Sequence, residues 1–147
     1  MALDLFRLDG RVALVTGGDK GLGQAMAIGL AQAGADVAIV SRSGGNAATL
    51  EQIAAAGRRG LALAFDLARP ESAAQIVSQT TEQLGRLDIL VNNAGTIRRA
   101  AASETTLEDF SAVLDVNLTG LWALSQAAGR VMLAQGNGKI INIASVL

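Results

Sequence analysis

A run of four apolar residues, Val12-Ala13-Leu14-Val15, gives way to Thr16-Gly17-Gly18-Asp19-Lys20-Gly21-Leu22-Gly23 and then to an alanine-rich segment ending at Gly34. A sequence of this kind folds as a buried strand, a glycine-lined bend and a helix. The bend is the most constraining feature of the chain. At a helix start, unpaired N–H groups and the positive end of the helix dipole converge, which suits a phosphate. Glycine lets the backbone come close to such a group and take positive φ without a Cβ clash. The spacing runs Gly-x-x-x-Gly-x-Gly through Gly17, Gly21 and Gly23, not the commoner Gly-x-Gly-x-x-Gly. Any tight strand-to-helix turn could use such glycines, so the rest of the chain has to decide.

Before the bend, Leu5 to Arg11 forms a lead-in, with Asp9-Gly10 as a turn. After it, the helix repeats apolar residues at Leu22, Met26, Leu30 and Ala33, and Gly34 stops it. Val37 to Val40 is a second apolar run, too short and too β-branched for a helix. Strand, helix, strand implies parallel pairing through a right-handed crossover. Ser41-Arg42-Ser43 follows directly. In a dinucleotide fold the end of this strand faces the adenosine ribose, where a carboxylate would bond the 2′-hydroxyl and an arginine would accommodate a 2′-phosphate. With Arg42 between two hydroxyls, and Lys20 in the bend, the sequence favours NADP(H), with NAD(H) as the alternative.

Ala47 to Ala56 reads as a short helix closed by Gly57, with Arg58 and Arg59 solvated beyond it. Leu61 to Phe65 is a third strand that ends in Asp66-Leu67. Asp66 can accept a hydrogen bond from an adenine amino group or orient the chain toward the next helix. Pro70 fits the first position of that helix and Glu71 its positive end, with Ser72 to Leu84 as its body and Gly85 as its stop. Leu87 to Val91 is a fourth strand, expected beside the first, and it ends in Asn92-Asn93-Ala94-Gly95. Amides can tie strand ends together and line a crevice, and the point where strand order reverses is where ligands bind. A plain Asn-Gly-type turn is the competing reading.

Arg98 and Arg99 pass over the same edge, either solvated or placed to meet a carboxylate. Thr106 caps a helix from Leu107, with Glu108 and Asp109 in its first turn. The helical region runs on through Asn117, Leu121, Leu124, Ala128 and Met132. Asn117, between Val116 and Leu118, reads as a buried polar group that needs partners. Lys139 to Ile143 is a fifth strand, followed by Ala144-Ser145-Val146-Leu147. The alternation of strand and helix throughout defines the class as α/β, a doubly wound parallel sheet of the Rossmann type.

What the chain lacks narrows its chemistry. Its 147 residues include no His, no Cys and no Tyr, so the commonest proton shuttles near neutral pH are missing. Without cysteine there is neither a disulfide nor a thiolate metal site, and no metal is expected. A net charge of −1 with interspersed signs offers no basic face for nucleic acid. The first residues lack a signal-peptide core, and no apolar run approaches membrane-spanning length. A cytoplasmic location agrees with all of this.

With these residues in hand, the chain resembles the short-chain dehydrogenase/reductase family. Thr16-Gly17-x-x-x-Gly21-x-Gly23 matches the family's cofactor loop and Asp66 its adenine-side aspartate. Asn92-Asn93-Ala94-Gly95 matches its fourth-strand motif, Asn117 its helix asparagine and Ser145 its active-site serine. Within the family, Leu22-Gly23-Gln24, Ala94 to Arg99 and Ala134 to Ser145 most resemble enzymes acting on sugar acids such as 2-deoxy-D-gluconate and 2-dehydro-3-deoxy-D-gluconate. The family continues past its serine to a Tyr-x-x-x-Lys motif and further strands. The expectation is therefore a single dinucleotide-binding domain over residues 1–147, with the carboxyl-terminal strands missing.

The resemblance implies hydride transfer between a nicotinamide and a hydroxyl or keto carbon of a sugar acid. Thr16, Gly17, Asp19, Lys20, Gly21, Leu22, Gly23, Ser41, Arg42, Asp66, Leu67, Asn93, Ala94 and Gly95 would hold the cofactor. Ser145 would bond the substrate oxygen, Asn117 would hold a water of a proton relay, and Arg98 or Arg99 would meet the substrate carboxylate. The complete enzyme would be a homo-oligomer. The chain alone, without the tyrosine and lysine, would be nearly inert. Two other readings stand beside this one: a non-catalytic dinucleotide-binding or interaction module, and a 3-oxoacyl thioester reductase of the same family.

Overall fold

The computed structural model describes residues 2–45 and 47–145. Five strands, β1 (Val12–Thr16), β2 (Asp36–Ser41), β3 (Gly60–Ala64), β4 (Ile89–Asn92) and β5 (Lys139–Asn142), form one sheet in the order β3-β2-β1-β4-β5. Every pairing is parallel. Between the strands lie α1 (Gly21–Gln32), α2 (Ala47–Ala55), α3 (Ser72–Leu84), α4 (Leu107–Leu114) and α5 (Leu121–Gln135), with a short 3-10 helix at Ala2–Phe6. The order reverses beside β1, as a fourth strand next to the first requires. The class expected from the sequence, a doubly wound parallel sheet, is the one observed.

β1 is buried along its whole length, and alternate residues feed two cores. Val12 and Leu14 join Leu90, Leu124, Ala128 and Met132 on the α3/α5 side. Ala13 and Val15 join Ala27, Ala31 and Ile39 on the α1/α2 side. The buried face of α1 is Gly23, Ala27 and Ala31, so small residues bring this helix close to the sheet. Of the stripe read from the sequence, Leu22 is exposed, and Met26 and Leu30 are only partly covered. Gly34 closes α1 as expected, with the Ala35 N–H on Leu30 O and the Gly34 N–H on Ala31 O.

Two carboxylates bind the amino ends of the strands together. Asp88, 2% exposed, accepts from the Val12 N–H at 3.0 Å, from Arg11 Nη1 at 3.0 Å and from Arg86 Nε and Nη2, both at 2.7 Å. Burial opposes its charge, but Arg86, the Val12 N–H and Arg11 together hold its carboxyl below the usual range. Asp36 is opposed by burial in the same way and likewise held low, by the Arg59 N–H, the Arg59 guanidinium and Arg58. Arg59 also reaches the last carbonyls of α3, with Nη2 on Leu84 O at 3.0 Å. Arg58 and Arg59 are therefore not merely solvated: they clamp β2 to the start of β3 and to α3. Pro70 also departs from expectation, lying in a turn ahead of α3, which begins at Ser72. The Ala73 N–H bonds Pro70 O at 3.2 Å, so the proline leads into the helix without forming its first position.

Between α4 and α5 the helix widens into a π-helical segment, Asp115–Gly120. The two helices and this segment run without a loop between them. No helix among the described residues is long and apolar enough to cross a membrane.

Candidate functional site

The carboxyl ends of β1, β2 and β4 meet at the glycine bend. Gly17 and Gly21 take φ of +63° and +56°, a backbone region in which a side chain is strained. The Gly17 N–H bonds Val40 O at 2.8 Å. Gly23 enters α1 pressed against this bend, and a Cβ there would overlap the Gly17 carbonyl oxygen. The sequence thus places glycine where the bend needs unusual dihedrals and again where the helix start needs close approach.

Side chains from β1 and β4 hold the bend. Thr16 is 2% exposed and does not line the cleft. Its Oγ1 accepts from the Asn93 N–H at 2.9 Å and the Ala94 N–H at 2.8 Å and donates to Val91 O at 3.3 Å. Asn93 answers from the other side, with Nδ2 on Thr16 O at 2.9 Å. Asn92, 1% exposed, donates Nδ2 to Ser125 Oγ and to Asn142 Oδ1, both at 2.9 Å. The two successive asparagines form more than a plain turn: Asn93 ties β4 to β1, and Asn92 ties it to β5 and α5.

In front of these ends lies a cleft of ≈ 890 Å³. Gly17, Asp19, Lys20, Gly21, Leu22 and Gly23 line one side of it. Ser41 and Arg42 come from the end of β2, Asp66 and Leu67 from the end of β3, and Asn93, Ala94, Gly95 and Arg98 from beyond β4. One Asp66 oxygen accepts the Ala68 N–H at 3.0 Å, so this aspartate shapes the turn after β3 while remaining exposed at the cleft. Ser41 Oγ accepts the Gly45 N–H at 2.9 Å and so folds the loop that carries Arg42.

Four residues singled out from the sequence lie elsewhere. Thr16 is buried behind the bend, and Arg99 and Ser145 are exposed and do not line the cleft. Asn117 is exposed, contrary to its reading as a buried amide, yet both of its polar atoms are bonded. Its Oδ1 accepts the Thr96 N–H at 2.8 Å and its Nδ2 donates to Thr96 O at 2.9 Å. The amide thereby pairs with a backbone residue as a strand would, pinning the loop after β4 to the π-helical segment. Arg98 Nε stands 3.6 Å from Asp109 Oδ1. Asp109 is itself oriented by Thr106, which caps α4 by accepting the Asp109 N–H.

The far wall escaped the sequence reading. Ala112, Asp115 and Val116 face the bend across the cleft. Their only signal was a polar residue, Asn117, interrupting an apolar helical run.

The donor set fits a dinucleotide. A glycine bend with positive φ, a helix start packed too closely for a side chain, and an arginine at the end of β2 all line one cleft. No group of three or more His, Cys, Asp or Glu among the described residues could hold a metal ion.

Fold and cleft together define a Rossmann-type α/β architecture with its cleft at the carboxyl end of the sheet. The chain belongs to the short-chain dehydrogenase family, whose model matches residues 11–147. It is 47% identical over 151 residues to a 2-dehydro-3-deoxy-D-gluconate 5-dehydrogenase of Escherichia coli (strain K12), covering 100% of this chain and 58% of that protein. A short chain dehydrogenase from Burkholderia cenocepacia J2315, solved in complex with NADP, superposes with a TM-score of 0.88 at 41% identity, covering 95% of this chain and 57% of that one. One from Mycobacterium paratuberculosis, bound to NAD, gives 0.88 at 34% identity, covering 95% and 57%. The chain thus spans little more than half the length of the relatives it matches.

Proposed function

We propose that the full-length protein is an NAD(P)-dependent oxidoreductase acting on a hydroxyl or keto group of a sugar acid such as 2-dehydro-3-deoxy-D-gluconate or 2-deoxy-D-gluconate. The observation that carries this reading is the cleft itself. It joins the glycine bend, Arg42 and the Asn93-Ala94-Gly95 turn on one side to Arg98 on its rim. When bound, the nicotinamide supplies the hydride chemistry, and the protein supplies position and polarity.

The glycine bend holds the pyrophosphate through backbone N–H groups, and Arg42 meets a ribose 2′-phosphate, which favours NADP(H) over NAD(H). Asp66 faces the adenine and Leu67 packs beside it. Arg98, held by Asp109, offers a guanidinium to the substrate carboxylate, with Arg99 exposed next to it. Ser145 bonds the substrate oxygen, and Asn117 orders the loop and water around it. Identity to a sugar-acid dehydrogenase at 47% supports the substrate class.

The test is direct. Titration of the full-length protein with NADPH and NADH gives saturable binding, tighter for NADPH, and a panel of sugar acids and 3-oxoacyl thioesters gives turnover with the former. Arg98→Ala raises KM for the acid. Failure of both nucleotides to bind a folded protein, or an unchanged KM with Arg98 and Arg99 both replaced by alanine, would overturn it.

A further inference from the structure

We infer that Gly44 and Gly45 are positioning residues that strap the loop after β2 onto β3 and so aim Arg42, which makes them determinants of the preference for NADPH over NADH. This rests on the role proposed above for Arg42. The contacts that form the strap are with β2 and β3, at the edge of the sheet opposite β5.

Ser41, the last residue of β2, anchors the loop several times over. Arg42 and Ser43 are the central residues of a turn closed by the Gly44 N–H on Ser41 O at 3.3 Å. The Ser41 side chain closes a wider ring, because its Oγ accepts the Gly45 N–H at 2.9 Å and lies 3.3 Å from Ser43 Oγ. Ser41 O also accepts the Phe65 N–H at 3.1 Å, which ties the turn to the end of β3. Arg42 therefore sits at the tip of a braced turn, with Ser41 and Ser43 beside it on the wall of the cleft.

Beyond the turn the chain doubles back over β3. Ile39 pairs with Ala62 and Ser41 with Ala64, and alternate residues of a strand share a face. Gly44 and Gly45 cross that face one after the other. A Cβ on Gly44 would stand 3.2 Å from Ala64 Cβ, and one on Gly45 would stand 2.8 Å from Ala62 Cβ and 3.3 Å from Ile39 Cδ1. Their φ angles are +84° and +100°, where any side chain is strained. A methyl group at position 45 meets no flexible neighbour to push aside, since Ala62 Cβ is fixed to its strand. The strap would lift and the Gly45 N–H would leave Ser41 Oγ. Arg42 would then gain freedom that it must lose again to hold a phosphate. NADPH differs from NADH by its 2′-phosphate alone, so the first nucleotide suffers and the second is spared.

The experiment measures Kd for NADPH and NADH on the full-length protein with Gly45→Ala, with Ala62→Val, and with each of these combined with Arg42→Ala. Ala62→Val presses on the strap from the strand and leaves the loop sequence intact, so it gives the reading even where Gly45→Ala does not fold. Either change raises Kd for NADPH by about fivefold to tenfold, up to the worth of the charge-assisted contact it disturbs, and leaves NADH within about twofold. Added to Arg42→Ala, neither weakens NADPH by more than about a further twofold, because the strap acts through that arginine. Hydrogen exchange at the position-45 N–H, read without nucleotide, quickens in both variants. Equal losses for the two nucleotides, losses that add to that of Arg42→Ala, or unchanged exchange would overturn the inference while the parent still preferred NADPH. A parent that bound NADH as tightly as NADPH would instead overturn the preference proposed above, and the inference with it.

Discussion

Replacing Thr16 by valine removes one oxygen from the junction of β1 and β4 and leaves the side-chain shape almost unchanged. In the folded protein that oxygen accepts the Asn93 and Ala94 N–H groups at 2.9 and 2.8 Å. Valine offers them nothing, and Thr16 itself is buried, so water cannot easily take its place. An unsatisfied buried donor costs roughly 1–3 kcal/mol. Asn93 and Ala94 are half-buried, which sets each loss near the lower end and the total at about 2–3 kcal/mol. The donated bond to Val91 O is long at 3.3 Å and adds little. Urea slopes of small proteins are about 1–3 kcal/mol per molar, so the unfolding midpoint falls by on the order of 1 M with the slope unchanged. Thr16→Ser keeps the acceptor and loses one buried methyl, for about 1 kcal/mol. Paired urea titrations followed by circular dichroism read both variants. A valine variant within about 0.5 kcal/mol of the parent, or a serine variant as weak as the valine one, would refute the account of Thr16 as the tie between strand ends.

Three further outcomes are expected. Asp36 and Asp88 are held below the ordinary carboxylate range in the folded state, so their contribution is fully present above the unfolded pKa of about 4 and is lost as pH falls through the lower folded values. Thermal melts from pH 6 downward show that loss, and Asp88→Asn lowers Tm near neutrality while flattening the acid slope; a parallel slope would contradict the assignment. Gly23→Ala drives a Cβ into the Gly17 carbonyl and costs about 3 kcal/mol or more together with nucleotide binding, whereas Gly21→Ala meets no atom within 4 Å and costs only the roughly 1–2 kcal/mol of a left-handed backbone. Calorimetry distinguishes the two, and equal costs would be the wrong result. Arg42→Ala weakens NADPH by about tenfold or more, the value of a charge-assisted hydrogen bond, and leaves NADH within about twofold; an equal loss of both nucleotides would remove Arg42 from 2′-phosphate recognition.

The sheet and its reversal at β1 were legible because each strand is a compact apolar run set off by glycine or a polar turn, and the parallel order follows from alternation with helices. The body of α3, Ser72 to Leu84, and its stop at Gly85 fall where the spacing puts them, although Pro70 stays outside the first position. The bend was legible for a physical reason too: only glycine fits φ of +63° at Gly17 and the contact at Gly23. What escaped depends on partners distant in sequence. Arg58 and Arg59 look like a solvated pair until Asp36, 23 positions from Arg59, arrives beside them. Asp88 looks like a flaw in an apolar strand until Arg11, 77 positions away, and Arg86 surround it. Asn117 was visible as an anomaly, but not as a residue of a widened helix that reaches Thr96, because nothing in a 3.6-residue period marks a π-helical segment.

The strands carry their ionic clamps at one edge and their neutral ties at the other. Asp36 and Asp88 fasten the amino ends, while Thr16, Asn92, Asn93 and Asn117 brace the rim of the crevice with groups that neither gain nor lose a proton. Acid therefore loosens the two clamps at the floor and leaves these four neutral ties at the rim with their partners.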